Sequence, residues 1–231
     1  MQIDILTGFP NIVEAPLNES MIRVALHNNA VNITIHDLRD FTTDKHRTID
    51  DYPYGGGPGM VLKIEPIIKS LDLIFKTSDR DNSKIIMPSP RGKPIEQPDV
   101  TRLSLEEHLV FVCGHYKGID ERLHAFYPVH EYSIGDYILS SGEIAALVMI
   151  DAVVRLLPGV LGDIDSAWTD SFSDYLLDAP YYTRPEIFND VRVPEVLLSG
   201  NHKEIEKWRR NIREQQTRER RPDLFEKYKK Q

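Results

Sequence analysis

The chain has 231 residues, of which 41% are hydrophobic and 28% are charged, a balance typical of globular proteins rather than disordered ones. It contains no apolar run long enough to span a bilayer, and its first residues lack the basic and apolar segments of a secretory signal. The single cysteine, Cys113, excludes an intrachain disulfide and a multi-cysteine zinc site. We therefore expect a cytoplasmic protein without membrane association.

The charge is unevenly distributed along the chain. The net charge at pH 7 is −8, yet residues 201–231 carry 11 Lys and Arg against 6 Asp and Glu. Local cationic patches, more than the total charge, determine contacts with phosphates. The basic tail favours a nucleic-acid partner, and a solvated amphipathic helix end is the alternative interpretation.

The first half of the chain reads as alternating strands and helices. Alternation at 3–5 and at 31–35 predicts two strands, and the apolar runs 84–87 and 109–113 predict buried strands of a parallel sheet. Helical patterns lie between them, at 19–28 and 64–75. This order predicts an α/β architecture.

The second half begins with the clearest helix pattern, at 140–157. Ser140 and Glu143 have capping-box spacing, Pro158 and Gly159 stop the helix, and its apolar interior predicts burial. The polar stretch that follows has the composition of a linker. Another capping pair, Asn201 and Glu204, predicts a second helical region. We therefore divide the chain into an α/β domain (1–161), a linker (162–175) and a small helical C-terminal domain (176–231).

Four loops are candidates for chemistry. The glycine loop, 54–60, indicates unusual backbone or a tight turn, and it lacks the Lys-Ser/Thr pair of a phosphate-binding P-loop. Segments 88–92, 114–122 and 133–142 are glycine-containing; the first two directly follow predicted strands, and the third leads into the clearest helix pattern. Ligands bind at the carboxyl ends of strands in open α/β sheets, so we expect these three loops to converge on one small molecule. Three ordinary turns are the alternative.

Two charged residues call for separate explanations. Arg155 lies near the end of an apolar helix, where it must reach a carboxylate, solvent or an anionic ligand. Asp170 lies in the linker, where an aspartate is usually solvated or part of a turn.

Taken together, the ordered motifs closely resemble the bacterial tRNA (guanine-N1)-methyltransferases of the TrmD family along nearly the whole chain. The segments that carry this resemblance are 4–7, 9–10, 45–47, 50–51, 53–60, 113–114, 118–122, 133–137, 151–152, 158–162, 170–172, 182–185, 198–202 and 221–224. The resemblance implies a SPOUT-type parallel sheet with a deep trefoil knot, and a homodimer whose active site is shared between subunits.

The resemblance also implies ligands for the loops. S-adenosylmethionine would be held by residues of the last three loops, namely Met87, Pro88, Ser89, Pro90, Gly92, Gly114, Tyr116, Ser133, Ile134, Gly135, Asp136, Tyr137, Ile138, Leu139, Ser141 and Gly142. The tRNA substrate would be contacted by Lys45, His46, Arg47, Gly57, Pro58, Gly59, His202, Arg209 and Arg213. By resemblance the methylated atom is N1 of the guanine at nucleotide 37, a modification that helps maintain the reading frame.

Guanine N1 carries a proton and becomes a nucleophile once that proton leaves. By resemblance, Asp170 is the general base that removes the proton, and Arg155 stabilises the negative charge that develops on O6. The sulfonium methyl group is already electrophilic, so no covalent enzyme intermediate is required.

The chain departs from the family pattern at a few positions. Lys117 stands where the family usually has glutamate, which puts in question a magnesium ion at that place. Ser141 replaces a glycine, Ala145 a proline, and Gly8 a leucine. Lys117 motivates one alternative, a tRNA-binding protein with a degenerate cofactor site. A metal-dependent nuclease built on Asp50, Asp51 and Asp136 is the other.

Overall fold

The computed structural model describes residues 1–162 and 170–230, and the chain divides into two compact units, Met1–Gly162 and Asp163–Gln231. The strands of the first unit are β1 (Gln2–Thr7), β2 (Asn32–Asp37), β3 (Asp50–Asp51), β4 (Val61–Leu62), β5 (Ser83–Pro94), β6 (His108–Val112) and β7 (Val129–Ser133). Its helices are α1 (Pro10–Leu17), α2 (Ser20–His27), a 3-10 turn (Leu38–Phe41), α3 (Ile64–Ile74), α4 (Gln97–Leu103), α5 (Leu123–Phe126) and α6 (Gly142–Val154).

Five of these strands form one parallel sheet in the order β2-β1-β6-β5-β7. This confirms the α/β class and the four strands predicted from the sequence. β7 is the strand that the pattern misses, because it lies at an edge and its sequence, Val-His-Glu-Tyr-Ser, has no buried apolar run. The deep trefoil knot stays a prediction.

The central strands are apolar throughout because both faces of the sheet are covered. In β6, Leu109 and Phe111 pack into the core formed with α1, α2, α4 and α6, whereas Val110 and Val112 pack into the core formed with α3 and α5. Side chains alternate between the two faces of a strand, so a strand buried on both sides shows no polar alternation.

A buried polar group lies near the amino ends of three strands. Asp4 accepts hydrogen bonds from His36 Nε2 at 2.6 Å and from His108 Nε2 at 2.7 Å, and the other ring nitrogen of His108 lies 2.8 Å from Ser83 Oγ. Burial raises the pKa of Asp4, but these hydrogen bonds outweigh it and hold that pKa well below its usual range.

Helix α6 corrects two predictions. It begins at Gly142, and the residue before it, Ser141, makes no side-chain cap. Glu143 is fully buried, where it accepts a 2.5 Å hydrogen bond from Thr7 Oγ1. The predicted capping box of Ser140 and Glu143 is therefore wrong. The predicted burial of the whole helix is also wrong, because Ile144 and Val148 are half exposed on one face.

The second unit contains the hairpin β8 (Ile187–Phe188) and β9 (Val191–Arg192), followed by α7 (Glu195–Leu198), α8 (His202–Arg220) and α9 (Pro222–Tyr228). Asn201 caps α8 and accepts from the backbone N–H of Glu204, as its spacing predicts. The predicted linker falls partly on residues 163–169, which lie outside the described residues. No helix in the described parts of the chain is both long and apolar enough to cross a bilayer.

Candidate functional site

A cleft of about 520 Å³ opens in the first unit between the second half of β5 and the segments that follow β6 and β7. Its volume is within the range of small-molecule sites, and its place at the carboxyl edge of a parallel sheet is where such ligands bind. The lining consists of Met87, Pro88, Ser89, Pro90, Arg91, Gly114, His115, Tyr116, Lys117, Gly118, Ile119, Glu121, Tyr132, Ser133, Ile134, Gly135, Tyr137, Ile138, Leu139, Ser140, Ser141, Gly142 and Ala145. The three segments therefore converge as the sequence predicts, but 88–92 is part of β5 and not a loop after a strand, because it pairs with β7 on both sides of a shift in register.

Two of the residues proposed for cofactor binding, Gly92 and Asp136, are not part of this lining. The reason is visible for Gly92, which lies where β5 leaves and rejoins its register with β7. A Cβ at this position would lie 2.5 Å from the backbone nitrogen of Tyr132. Gly92 is thus required for the close approach of two strands.

Backbone hydrogen bonds hold the loops after β6 and β7 together. The N–H of Gly142 donates to the carbonyl of Gly114 at 2.7 Å, and His115 and Ser141 form an isolated antiparallel bridge. A Cβ on Gly142 would lie 2.8 Å from the nitrogen of Gly114 and 3.0 Å from its oxygen. Glycine at this position lets two backbones meet at the base of the cleft.

Aromatic rings extend one wall of the cleft. The ring of His115 lies 4.3 Å from that of Phe9 and 4.7 Å from that of Tyr116. Within the described residues, Nδ1 of His115 is buried without a hydrogen-bond partner. Burial and the neighbouring Asp50 raise the pKa of Tyr116, so its phenol stays protonated at neutral pH. This wall offers flat faces and one unused polar atom to a ligand.

Charged side chains occupy the rim. The guanidinium of Arg91, on β5, lies 3.0 Å from the carboxylate of Glu121 in the loop after β6 and 3.5 Å from that of Glu131 on β7. These carboxylates raise the pKa of Arg91, which keeps its charge. The stem of Lys117 lies against Gly59 of the glycine loop, where a Cβ would be 2.8 Å from Lys117 Cγ.

The glycine loop is joined to the loop after β6 by main-chain bonds. Lys117 donates its N–H to Met60 at 3.0 Å, Leu62 donates to Gly118 at 3.0 Å, and Asp120 donates to Leu62 at 3.1 Å. The tip of the loop is exposed, and Gly57 and Gly59 both have positive φ.

A second cleft, of about 930 Å³, shares Ile119 and Glu121 with the first. It runs along the segment that follows the 3-10 turn and reaches Tyr52 and Tyr54 beside the glycine loop. The two clefts give the first unit a continuous concave surface that is larger than one nucleoside requires.

The three predicted tRNA contacts before the glycine loop lie on an exposed turn. Asp44 organises this turn by accepting from the N–H groups of His46 and Thr48. Arg47 pairs with Asp40, and Lys45 is exposed. The turn therefore presents cations to solvent from a fixed backbone.

Arg155 follows the last residue of α6 and is half buried. Gly142 and Ala145, at the other end of this helix, line the cleft. A helix rises about 1.5 Å per residue, which puts the backbone of Arg155 about 20 Å from that of Gly142. Arg155 is absent from the lining of its own chain's cleft.

Asp170 is half buried at the start of a segment that packs on α8. In that segment Leu176 is buried, Leu177 donates its N–H to Thr217 Oγ1 at 2.8 Å, and Asp174 pairs with Arg213 at 2.6 Å. The guanidinium of Arg213, a predicted tRNA contact, thus forms an ion pair within the protein. The other two predicted contacts, His202 and Arg209, are exposed on α8.

Residues 1–227 match the family model described as tRNA (Guanine-1)-methyltransferase TrmD. The chain belongs to this family. A tRNA (guanine-N(1)-)-methyltransferase of Carboxydothermus hydrogenoformans is 54% identical over 225 residues, which cover 97% of this chain and 87% of the relative. Proteins of the same name from Geobacter metallireducens (48% identical; 98% and 92% covered) and Anoxybacillus flavithermus (49%; 99% and 93%) are also similar. These matches confirm the family resemblance found in the sequence.

One feature of the described residues bears on the nuclease alternative. Among residues 1–162 and 170–230, no group of three or more His, Cys, Asp or Glu side chains could hold a metal ion. Asp50, Asp51 and Asp136, proposed for a nuclease, are accordingly not assembled into such a group.

Several residues that line the cleft are missing from the set proposed for the cofactor, among them Arg91, His115 and Glu121. Arg91 lies in the second half of β5, whereas His115 and Glu121 lie in the loop that directly follows β6, a position that is a usable signal. Which side chains of such a loop turn inward depends on contacts such as that between His115 and Phe9, which the sequence pattern does not contain.

Proposed function

We propose that the chain is a cytoplasmic, S-adenosylmethionine-dependent enzyme that methylates N1 of the guanosine at nucleotide 37 of tRNA, and so helps maintain the reading frame. Membership in the TrmD family supports the reaction and the substrate. The observation that carries the proposal is the glycine-lined cleft where the second half of β5 meets the loops after β6 and β7.

The residues of the cleft fit S-adenosylmethionine. The main chains of Gly114 and Gly142 meet at the base of the cleft, and His115 Nδ1 has no hydrogen bond within the described residues. Ile134 and Leu139 add apolar surface for an adenine ring. When bound, this cofactor supplies a methyl group on a positively charged sulfur.

The protein must then remove the proton from guanine N1. Asp170 accepts the N1 proton, which makes the ring nitrogen nucleophilic and moves negative charge towards O6. Arg155 donates to O6 and stabilises that charge in a site with little water. Lys117, whose stem lies against Gly59, places a positive charge at the rim where the family usually has glutamate, so the magnesium ion that the resemblance allows stays in question at this place.

A homodimer with shared sites explains the position of Arg155. The helix places Arg155 about 20 Å from the cleft end of α6, so we assign its action to the cleft of a partner chain. Ile144 and Val148 are 48% and 50% exposed, and they lie on the helix face that ends at Arg155. Exposed apolar stripes of this kind mark protein interfaces, and a second copy would cover this one.

The reaction is tested by incubating the protein with labelled S-adenosylmethionine and tRNA carrying G or A at nucleotide 37. We expect label in the G form alone. Label in both forms, or in neither, overturns the proposal. Calorimetry with S-adenosylmethionine separates the enzyme from a tRNA-binding protein with a degenerate cofactor site, since only the enzyme binds the cofactor.

The role of the base is tested with Asp170→Ala, using the exposed Glu206→Ala as the matched control. We expect single-turnover methylation to fall at least ~10²-fold in the first variant, the lower limit for a general base, with unchanged cofactor affinity. Ordinary turnover by Asp170→Ala would remove it from the mechanism.

Subunit sharing is tested by mixing Asp170→Ala with a cleft-blocked Gly142→Val variant. Each alone should be inactive. Random exchange in a symmetric dimer should restore about a quarter of the active sites if the base serves the partner's cleft. If the base serves its own cleft, the mixture stays inactive.

The cationic turn at 45–47 and the exposed cations of α8 are the proposed phosphate contacts. Affinity for tRNA should then fall steeply as salt rises, because bound counterions are released on binding. An affinity that does not change between low and moderate salt would reject this part of the proposal.

A further inference from the structure

Exposed aromatic rings lie on the segment that carries Asp170. Tyr181 is 71% exposed and Phe172 is 41% exposed, although such large rings are usually covered. Phe172 also has a φ of 77°, a left-handed conformation that is rare for a bulky residue. Exposed rings close in the chain to a proposed catalytic group are candidates for stacking on a base.

Hydrogen bonds fix the orientation of Tyr181. Its hydroxyl donates to Asp178 Oδ2 at 2.6 Å, and the N–H of Asp178 donates to Ser171 Oγ at 2.9 Å. Ser171 is the residue after Asp170. This chain of two bonds therefore connects the exposed ring to the immediate neighbour of the proposed base.

The charges that shift the pKa of Tyr181 also place it near Asp170. The pKa of Tyr181 is raised, first by its hydrogen bond to Asp178 and then by burial and by the charges of Asp178 and Asp170, whereas Arg209 acts in the opposite direction. The ring thus lies within the influence of both the proposed base and a proposed phosphate contact.

The segment is anchored firmly enough to hold a ring in place. Leu177 and Asp174 bond to α8, and the N–H of Phe172 donates to the carbonyl of the buried Leu176 at 2.9 Å. A ring whose orientation is fixed before binding loses little conformational entropy when a ligand stacks on it.

We propose that Tyr181 is the residue on which the target guanine stacks when it leaves the anticodon-loop stack, with its N1 edge towards Asp170. This inference deepens the proposed function and rests on it. Extruding a base costs a few kcal/mol, and stacking on an aromatic ring returns ~1–3 kcal/mol per base. The stacked ring would therefore offset much of the cost of extrusion.

The test uses the full chain and tRNA with 2-aminopurine at nucleotide 37, whose fluorescence is quenched when it stacks. Tyr181→Leu removes the ring, Tyr181→Phe keeps it, and Phe188→Leu removes an exposed ring from the β8–β9 hairpin as a control. With Tyr181→Leu, bound tRNA should be several-fold brighter than with the wild type. The other two variants should match the wild type.

On unmodified tRNA, Tyr181→Leu should lower kcat/KM at least tenfold, a factor equivalent to about 1.4 kcal/mol, with unchanged affinity for S-adenosylmethionine. Equal fluorescence and equal kcat/KM for Tyr181→Leu and the wild type overturn the inference. A wild type that quenches the probe but fails to methylate overturns the proposed function instead, because quenching does not depend on methyl transfer.

Discussion

Replacing Gly142 by alanine tests how tightly the base of the cleft is built. The new Cβ would lie 2.8 Å from the backbone nitrogen of Gly114, about 0.6 Å closer than an ordinary contact, and the atoms it meets belong to backbone. The two loops must therefore separate, and the 2.7 Å bond from Gly142 to Gly114 must lengthen.

The expected cost has two parts. Overpacking of this kind costs roughly 1–3 kcal/mol, and the better helix propensity of alanine offsets up to about 1 kcal/mol. A net loss of ~1–2 kcal/mol corresponds to a Tm lower by about 2–8 °C for a chain of this size. Because the strain lies at the base of the cleft, we expect the affinity for S-adenosylmethionine to fall about tenfold.

Calorimetry with S-adenosylmethionine and thermal melts measure these effects. Gly162→Ala is the matched control, since a Cβ there meets no atom of residues 1–162 or 170–230 within 4 Å and its φ is not positive. Binding of tRNA should be unchanged in both variants. If Gly142→Ala binds the cofactor as tightly as Gly162→Ala, the contact between the loops does not shape the cofactor site.

Three further predictions concern other parts of the fold. Asp4→Asn should destabilise the protein by about 2 kcal/mol at pH 7 because a buried charged acceptor is lost. The pKa of Asp4 is lowered in the folded protein, so its contribution to stability is present above about pH 4 and fades below it, and denaturant melts of the two proteins should converge in acid. Burial raises the pKa of Cys113 far above its usual value, so a thiol reagent should label no cysteine in the native protein and one in guanidinium; rapid native labelling would contradict the buried position. Arg213→Ala should cost about 1–2 kcal/mol and reduce methylation through the displaced Asp170 segment, while cofactor affinity stays normal; unaffected methylation would show that this anchor is dispensable.

The sequence predicts the elements whose signal is local. The strands at β5 and β6 are recognisable because burial on both faces leaves a continuous apolar run. The start of α8 is recognisable because Asn201 and Glu204 interact within one turn. The polar edge strand β7 has no comparable signal. The sequence therefore predicts the segment 133–142 but not the strand that positions it.

Long-range contacts explain the errors. Glu143 resembles half of a capping box, but its partner is Thr7, 136 residues away in the chain. Gly92 resembles a ligand-binding glycine, but it is needed where β5 and β7 meet. The proposed dimer would give the position of Arg155 and the exposed stripe on α6 a function, and a pattern within one chain does not express contacts with a second chain.

The main-chain bonds that join Met60 and Leu62 to the loop after β6 have a thermodynamic consequence. These bonds give a physical route by which a ligand at one segment would change the conformational freedom of the other. By linkage, an RNA that immobilises the glycine tip raises the affinity for the methyl donor by the same factor by which the donor raises the affinity for that RNA. Release of product from one segment would then lower the affinity of the other segment for its own ligand.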